Sequence, residues 1–273
     1  MPSEVPAFEQ IAAWPGQHAA AGVTNAANTM ADAGQADHRH PWASVTKLLT
    51  AYRILQLAEE GAVSLDEPAG PPGSTVRHLL AHASGLDIDG GGVLAAVGRR
   101  RIYSNAGFDQ LGALAAERAG QPFADQVQRE IFRPLDMSAS AIEGSPASGG
   151  AGTLRDLLRF GRELLAPTLL APETLAEATT VAFAGLDGVL PGFGRQRPND
   201  WGLGFELRDG KHPHWTGRTN SPETFGHFGQ SGSFLWVDPA IGLSCAALAG
   251  VDFGPWAIEA WPAFTDAVIE QYR

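Results

Sequence analysis

The spacing of apolar positions divides the 273-residue chain into a helical stretch, an aperiodic stretch and a strand-rich stretch. After Ser44, the residues Leu48, Tyr52, Leu55 and Glu59 share one helical face. Leu48, Ala51, Leu55 and Ala58 share its apolar neighbour, and Gly61 supplies a residue suited to ending the helix. Residues 74–82 (STVRHLLAH) read as a short capped helix, and 106–119, 122–131 and 153–165 as helices bounded by glycine or proline. From residue 185 to 200, GLDGVLPGFGRQRPND has no period and reads as a loop. Beyond it WGLGFEL (201–207), ETFGHFGQSG (223–232), SFLWVD (233–238) and GLSCAALAG (242–250) read as strands, the last two joined by the turn PAI. A helix over 256–272 closes the chain. Residues 20–37 read as an opening hairpin although their alanines have poor strand propensity.

This order predicts an α+β fold in which an antiparallel sheet joins the first and last parts of the chain and is flanked by helices. Residues 1–55 and 198–273 are expected to form the sheet region, with 56–197 as an inserted, mostly helical lobe of the same unit.

Net charge is -11. Nucleic acid and anionic membrane both require a basic surface, so neither is an expected partner, and the run Arg99-Arg100-Arg101 is too short to change this. No 18-residue apolar run occurs, and the N-terminus lacks a basic start followed by an apolar core. The expected location is therefore the cytoplasm. Cys245 is the only cysteine, which excludes an internal disulfide; within GLSCAALAG it reads as a buried, inert thiol.

Lysine occurs twice, at 47 and 211, against seventeen arginines. An arginine cannot give up its proton in a protein, whereas a desolvated lysine can and then serves as a base. Ser44 and Lys47 stand three apart at a helix start, the spacing of side-chain neighbours, where the helix N-terminus favours developing negative charge. The pair fits a serine nucleophile beside a lysine base. Tyr103 and Asn105 form a Y-x-N in RRRIYSNAGF; Lys47 is one cation that would favour a Tyr103 phenolate, and Asn105 suits a substrate amide or the lysine. His227-Phe228-Gly229 lies on a predicted strand, where Gly229 leaves the backbone open to close approach by an acyl group.

S-x-x-K, then Y-x-N about 60 residues on, then H-x-G about 120 further, resembles the serine β-lactamase and penicillin-binding protein superfamily, in its class C-like branch with the family VIII esterases. ASVTKLLTAYRILQLAEEGAVSLDEP, VRHLLAHASGL, WGLGFEL and GHFGQSGSFLWVDPAIGLSCAAL resemble further segments of that branch, from about residue 40 to the C-terminus. The resemblance implies the β-lactamase/transpeptidase-like fold, Ser44 as the acylated nucleophile, Lys47 as the group that activates it, and Tyr103 as partner base or proton shuttle. It also implies Asn105 on the acyl side chain, an oxyanion hole from the backbone N–H groups of Ser44 and Gln230, and no cofactor. Trp42, a core residue by default, is the tryptophan placed to wall an acyl pocket.

The third motif departs from the β-lactamases and D,D-peptidases, which place a lysine and a hydroxyl residue where this chain has His227 and Phe228. Carboxylate capture is weakened, so the expected partner is a small-molecule ester or amide, with β-lactams and D-alanyl peptides as the alternative and Arg218 as the substitute cation. A non-catalytic binding protein on the same fold is the alternative of another class. The pairs His38/His40, His78/His82 and His212/His214 lack a third ligand in their local sequence and predict no metal; His82 is expected to anchor its turn by hydrogen bonds. GQSGS fails the G-x-S-x-G pattern at its last position. Oligomeric state has no signature in the sequence.

Overall fold

The computed structural model describes residues 6–90 and 92–273. Residues 1–5, the first part of the N-terminal stretch read for a leader pattern, lie outside them. A 3-10 turn, Ala7–Ala13, leads to the hairpin β1 (Ala20–Thr24) and β2 (Thr29–Gly34), then β3 (His40–Pro41) and a second 3-10 turn, Ala43–Val45. The helical stretch holds α1 (Thr46–Glu59), α2 (Val76–Leu80), α3 (Asn105–Ala119) and α4 (Phe123–Val127), the last continuing as a π-helical turn to Phe132. The short strands β4 (Ala141–Ile142) and β5 (Gly150–Gly152) precede α5 (Leu154–Leu165) and α6 (Pro172–Ala178). Then come β6 (Gly188–Leu190), β7 (Gly194–Gln196), β8 (Glu206–Leu207), β9 (Phe225–Gly229), β10 (Ser233–Asp238), β11 (Leu243–Leu248) and α7 (Pro255–Tyr272).

The main sheet is antiparallel, in the order β2-β1-β11-β10-β9-β8, so the opening hairpin does pair with the end of the chain: Ala20 lies opposite Leu248 and Thr24 opposite Ser244. β10 is buried on both faces, which is why SFLWVD reads as a continuous apolar run. Leu235 and Val237 enter the core shared with α1 and α5; Phe234 and Trp236 enter a second core with Trp261, Phe264 and Val268 of α7. The small residues of β1 and β11 have a packing cause. A Cβ on Gly22 would sit 2.7 Å from Leu158 Cδ1, and one on Gly161 of α5 would sit 2.4 Å from Ser244 Oγ. At these two points α5 lies so close to the sheet that only a small residue fits beneath it.

α1 is central: every residue from Thr46 to Leu57 is buried. Its polar stripe Lys47, Thr50, Arg53 and Gln56 is satisfied internally, with Thr50 Oγ1 donating to Pro146 O (2.6 Å) and Arg53 Nε to Gln126 Oε1 (3.1 Å).

Several elements differ from the sequence reading. The stretch 185–200 is not structureless but contains the β6–β7 hairpin, whose Val189 is exposed between the buried Gly188 and Leu190. WGLGFEL is a strand only at Glu206–Leu207, because Gly202 and Gly204 carry the chain through a tight turn held by Gly202 N–H to Phe205 O. α6 and the small sheet β3-β5-β4 went unread because each is too short to show a period. α5, inside the 56–197 stretch, packs across β11, β1 and β10.

Candidate active site

Ser44 sits in the 3-10 turn ahead of α1 rather than in its first α-helical turn. The residue before it, Ala43, has φ +44, a left-handed conformation that a residue bearing a Cβ holds only under constraint. That constraint is visible. Trp42 N–H donates to Gly150 O (2.8 Å), Ser233 Oγ donates to Trp42 O (2.8 Å) and Ser231 Oγ to Pro41 O (2.8 Å). A Cβ on Gly229 would lie 2.4 Å from Trp42 O and 3.1 Å from Ala43 Cβ. The close approach that Gly229 permits is therefore taken up by the backbone of the Ser44 turn.

Lys47 is fully buried and touches an amide, a carbonyl and a hydroxyl: its Nζ donates to Asn105 Oδ1 (2.6 Å) and Ala147 O (2.9 Å) and lies 3.1 Å from Ser44 Oγ. Burial brings the ammonium pKa down to about 7, opposed by the charges of Asp109 and Asp89. A neutral lysine has two N–H groups and one lone pair. Asn105 Oδ1 and Ala147 O are pure acceptors and consume both hydrogens, which leaves the lone pair for Ser44 O–H.

Tyr103 Oη donates to Ser44 Oγ (2.6 Å). Burial raises the phenol pKa and the bond to Ser44 only partly opposes this, so Tyr103 stays protonated and acts as a donor. The phenolate considered from sequence is thus disfavoured. The Y-x-N spacing has a local cause: on the extended approach to α3, residues 103 and 105 project to one side while Ser104, between them, caps the helix by accepting from Gly107 N–H (3.0 Å). His82, at φ +53, accepts from Ser104 N–H through Nδ1 (3.1 Å) and packs against Tyr103 (ring centroids 4.7 Å apart), Phe108 and the edge of Trp201.

Asn105 spends its other end on the rim, where Nδ2 donates to Asp89 Oδ1 (2.7 Å). His227 Nδ1 pairs with Phe228 O (2.6 Å), and burial and the nearby Lys47 bring its pKa down to about 3, so the ring is neutral and Nε2 is left as an acceptor without a partner. Phe228 packs among Phe193, Trp215, Phe253 and Trp261. Behind the cleft, Glu206 holds Lys211, His214 Nε2 and Trp215 Nε1; burial pushes its carboxyl up, but His214 and Lys211 outweigh that and hold it at about 2.

These groups enclose a cavity of about 230 Å³ walled by Ser44, Tyr103, Asn105, His227, Phe228 and Gln230, with Ile88, Leu190, Pro191, Trp201 and Glu206 completing it. Trp42 and Gly229 are the exceptions among the expected substrate-binding residues: Gly229 lies against the Ser44 turn, and Trp42 lies in the core. Trp42 is wholly buried against Phe132 and beneath Gly150 and Gly152, on the core side of the Ser44 turn. Arg218 lines a different cavity, of about 1210 Å³, beside α7, which contains none of the expected site residues. Among the histidine pairs, His40 bonds His18 O, His78 stacks on Phe183 and His214 is taken by Glu206. Among the described residues, no three potential ligands converge on an ion site, and no helix is long and apolar enough to cross a membrane.

Sequence reasoning missed Ser231 and Ser233, whose GQSGS was weighed only as a failed hydrolase motif, and Ile88, Asp89, Leu190 and Pro191, which stand on loops without a pattern. Ala147 contributes a carbonyl, which no sequence signal marks.

Comparison with known proteins points to one family. The family model described as Beta-lactamase matches residues 15–262. A crystal structure of a beta-lactamase from Mycobacterium bovis is 49% identical, with a TM-score of 0.95 over 97% of this chain and 99% of that one. Esterase EstB of Burkholderia gladioli is 26% identical, with 83% of this chain and 81% of that protein aligned. The D-alanyl-D-alanine-carboxypeptidase/endopeptidase AmpH of Escherichia coli is 28% identical over 141 residues, 38% of this chain and 37% of AmpH, so the matched stretch spans little more than a third of that relative.

Proposed function

The chain belongs to the Beta-lactamase family, and on that premise we propose that it is a serine hydrolase in which Ser44 is acylated by small esters or amides that need no carboxylate, esters preferred. The observation that carries this reading is the convergence of Lys47 Nζ and Tyr103 Oη on Ser44 Oγ, with about half of the lysine deprotonated at pH 7.

Neutral Lys47 takes the Ser44 proton as Oγ bonds to the substrate carbonyl carbon. The tetrahedral oxyanion is held by the backbone N–H groups of Ser44 and Gln230, each donor of this kind contributing about 10²–10³ in rate. The bond to the leaving oxygen breaks as Tyr103 Oη gives it a proton, and the Lys47 ammonium resupplies the phenol. Water then attacks the acyl carbon, giving its proton to the same pair, and Ser44 leaves reprotonated. Ester preference is supported by the cleft walls: its third-motif side chains are a neutral histidine and a phenylalanine, and Arg218 is elsewhere. Losing one charge-assisted contact to a carboxylate costs about 1.5–3 kcal/mol, roughly tenfold to over a hundredfold.

EstB is an esterase by name and the Mycobacterium bovis protein a beta-lactamase, so the two activities are compared directly. The test measures kcat/KM for p-nitrophenyl esters of two to eight carbons beside nitrocefin and a D-Ala-D-Ala peptide, with intact-mass detection of an adduct that Ser44→Ala abolishes. Esters should lead. Penicillin or cephalosporin turnover above that of simple esters would overturn the preference, and absence of any Ser44 adduct would overturn the hydrolase reading.

A further inference from the structure

The charges around the cleft are one-sided. Lys47, the cation at its floor, is only about half protonated at pH 7, and the positive partner of Glu206, Lys211, is fixed in a buried ion pair. No arginine lines the cavity, and His227 presents an acceptor nitrogen. Asp89 remains. It is exposed beside Ile88, a cavity wall, and accepts from Asn105 Nδ2 at 2.7 Å, so its carboxylate stands at the edge of the site with one oxygen tied to a cavity residue. That bond consumes one donor Asn105 would offer a substrate carbonyl and places a negative charge where such an acceptor would approach. Tyr103, Trp201 and Phe228 are among the cavity's lining residues, and aromatic rings attract a cation rather than an anion.

We propose that Asp89 is a specificity-determining residue that makes the Asn105 end of the cleft selective for substrates carrying a positive charge and repellent to those carrying a carboxylate. This rests on the ester-hydrolase reading above and names the substrate class within it: esters with an ammonium group three or four bonds from the scissile carbonyl, on either the acyl or the alcohol arm. The chemistry is that of one rim carboxylate acting through space, so it is screened by salt.

The experiment compares three methyl esters of similar shape: 4-(trimethylammonio)butanoate, its uncharged carbon isostere 5,5-dimethylhexanoate, and the hydrogen glutarate. A choline ester and its 3,3-dimethylbutyl counterpart test the alcohol arm. In low salt the wild type should favour the cation over its isostere in at least one arm by about four- to fifteenfold, and disfavour the anion by a similar factor. Asp89→Asn keeps an acceptor for Asn105 Nδ2 while removing the charge, and should bring these ratios close to one; Asp89→Ala should do the same. Equal ratios in wild type and Asp89→Asn would overturn the inference while leaving the hydrolase reading standing. Equal loss on all the esters would overturn it too, showing that Asp89 serves only to hold Asn105 against Lys47. A wild type that hydrolyses none of them and forms no Ser44 adduct would remove the reading on which the inference rests.

Discussion

Both lysines are buried, but Lys211 lies against the Glu206 carboxylate while Lys47 bonds an amide, a carbonyl and the Ser44 hydroxyl. Burial lowers both pKa values; at Lys211 the contacting Glu206 carboxylate opposes it, while at Lys47 only the charges of Asp109 and Asp89, acting through space, do so. Lys47→Arg should therefore lower kcat/KM for a p-nitrophenyl ester by about 10²–10⁴, because a guanidinium keeps the charge and cannot accept the proton. The wild-type kcat/KM should rise with pH through about 7, where Lys47 loses its proton, and level off above. A profile flat from pH 5 to 9 would remove Lys47 as the base. Stability carries the same signature with a definite sign. The folded pKa is depressed below the ordinary 10.5, so between about 7 and 10.5 the unfolded chain holds a proton that the folded one lacks. The stability of wild type relative to Lys47→Met should thus increase with pH across that window, at up to about 1.4 kcal/mol per pH unit, as read by urea unfolding.

Two interfaces between elements are set by glycine at points where no Cβ fits. At Gly229 the neighbour is the Ser44 turn, and a methyl would collide with Trp42 O and with Ser233 Oγ, 2.5 Å away. At Gly161 the neighbours are Ser244 Oγ and, at 3.2 Å, Leu235 Cδ1, in the seam between α5 and the sheet. The same substitution should act differently at the two places. Gly161→Ala is expected to cost about 1–3 kcal/mol in urea unfolding through overpacking. Gly229→Ala pushes β9 from the turn that presents Ser44, so its kcat/KM should fall by about 10² with a smaller change in stability, since displacements near 1 Å are enough to misplace reacting groups. If Gly161→Ala lowers activity more than Gly229→Ala does, the alignment of Ser44 is set by α5 rather than by β9.

On the scale of the whole molecule, the sheet is closed by strands from opposite ends of the chain, with β1 between β2 and β11. Cys245 sits in that junction, opposite Val23 on β1 and Trp236 on β10, fully buried in the core shared with α7, and burial raises its thiol pKa well above the usual value. A thiol reagent should reach it only when β1, β11 and α7 separate. Labelling of Cys245 is expected to track global unfolding, with the same urea midpoint as near-ultraviolet circular dichroism. Labelling at lower urea would show that the first and last strands detach before the rest.

The strongly periodic or continuous apolar segments were legible without a structure. α1, α3, α5, α7, β10 and β11 fall within a residue or two of their expected places, because a helix or strand buried along its length writes its period into its own residues. So were the residues that converge on the site: Ser44, Lys47, Tyr103 and Asn105 stood out through residue type and spacing, together with the family resemblance they carry. What the tertiary structure decided was environment. Whether Lys47 is charged depends on its burial against Asn105 and Ala147 with no carboxylate in direct contact, a property of the residues brought around it from α3 and the 145–147 turn. Tyr103 as donor, Trp42 in the core, Gly229 against the Ser44 turn and Asp89 at the rim are likewise facts about neighbours from distant parts of the chain. A sequence records what each residue can do; burial and contact, set only when the chain closes on itself, select which of those capacities is used.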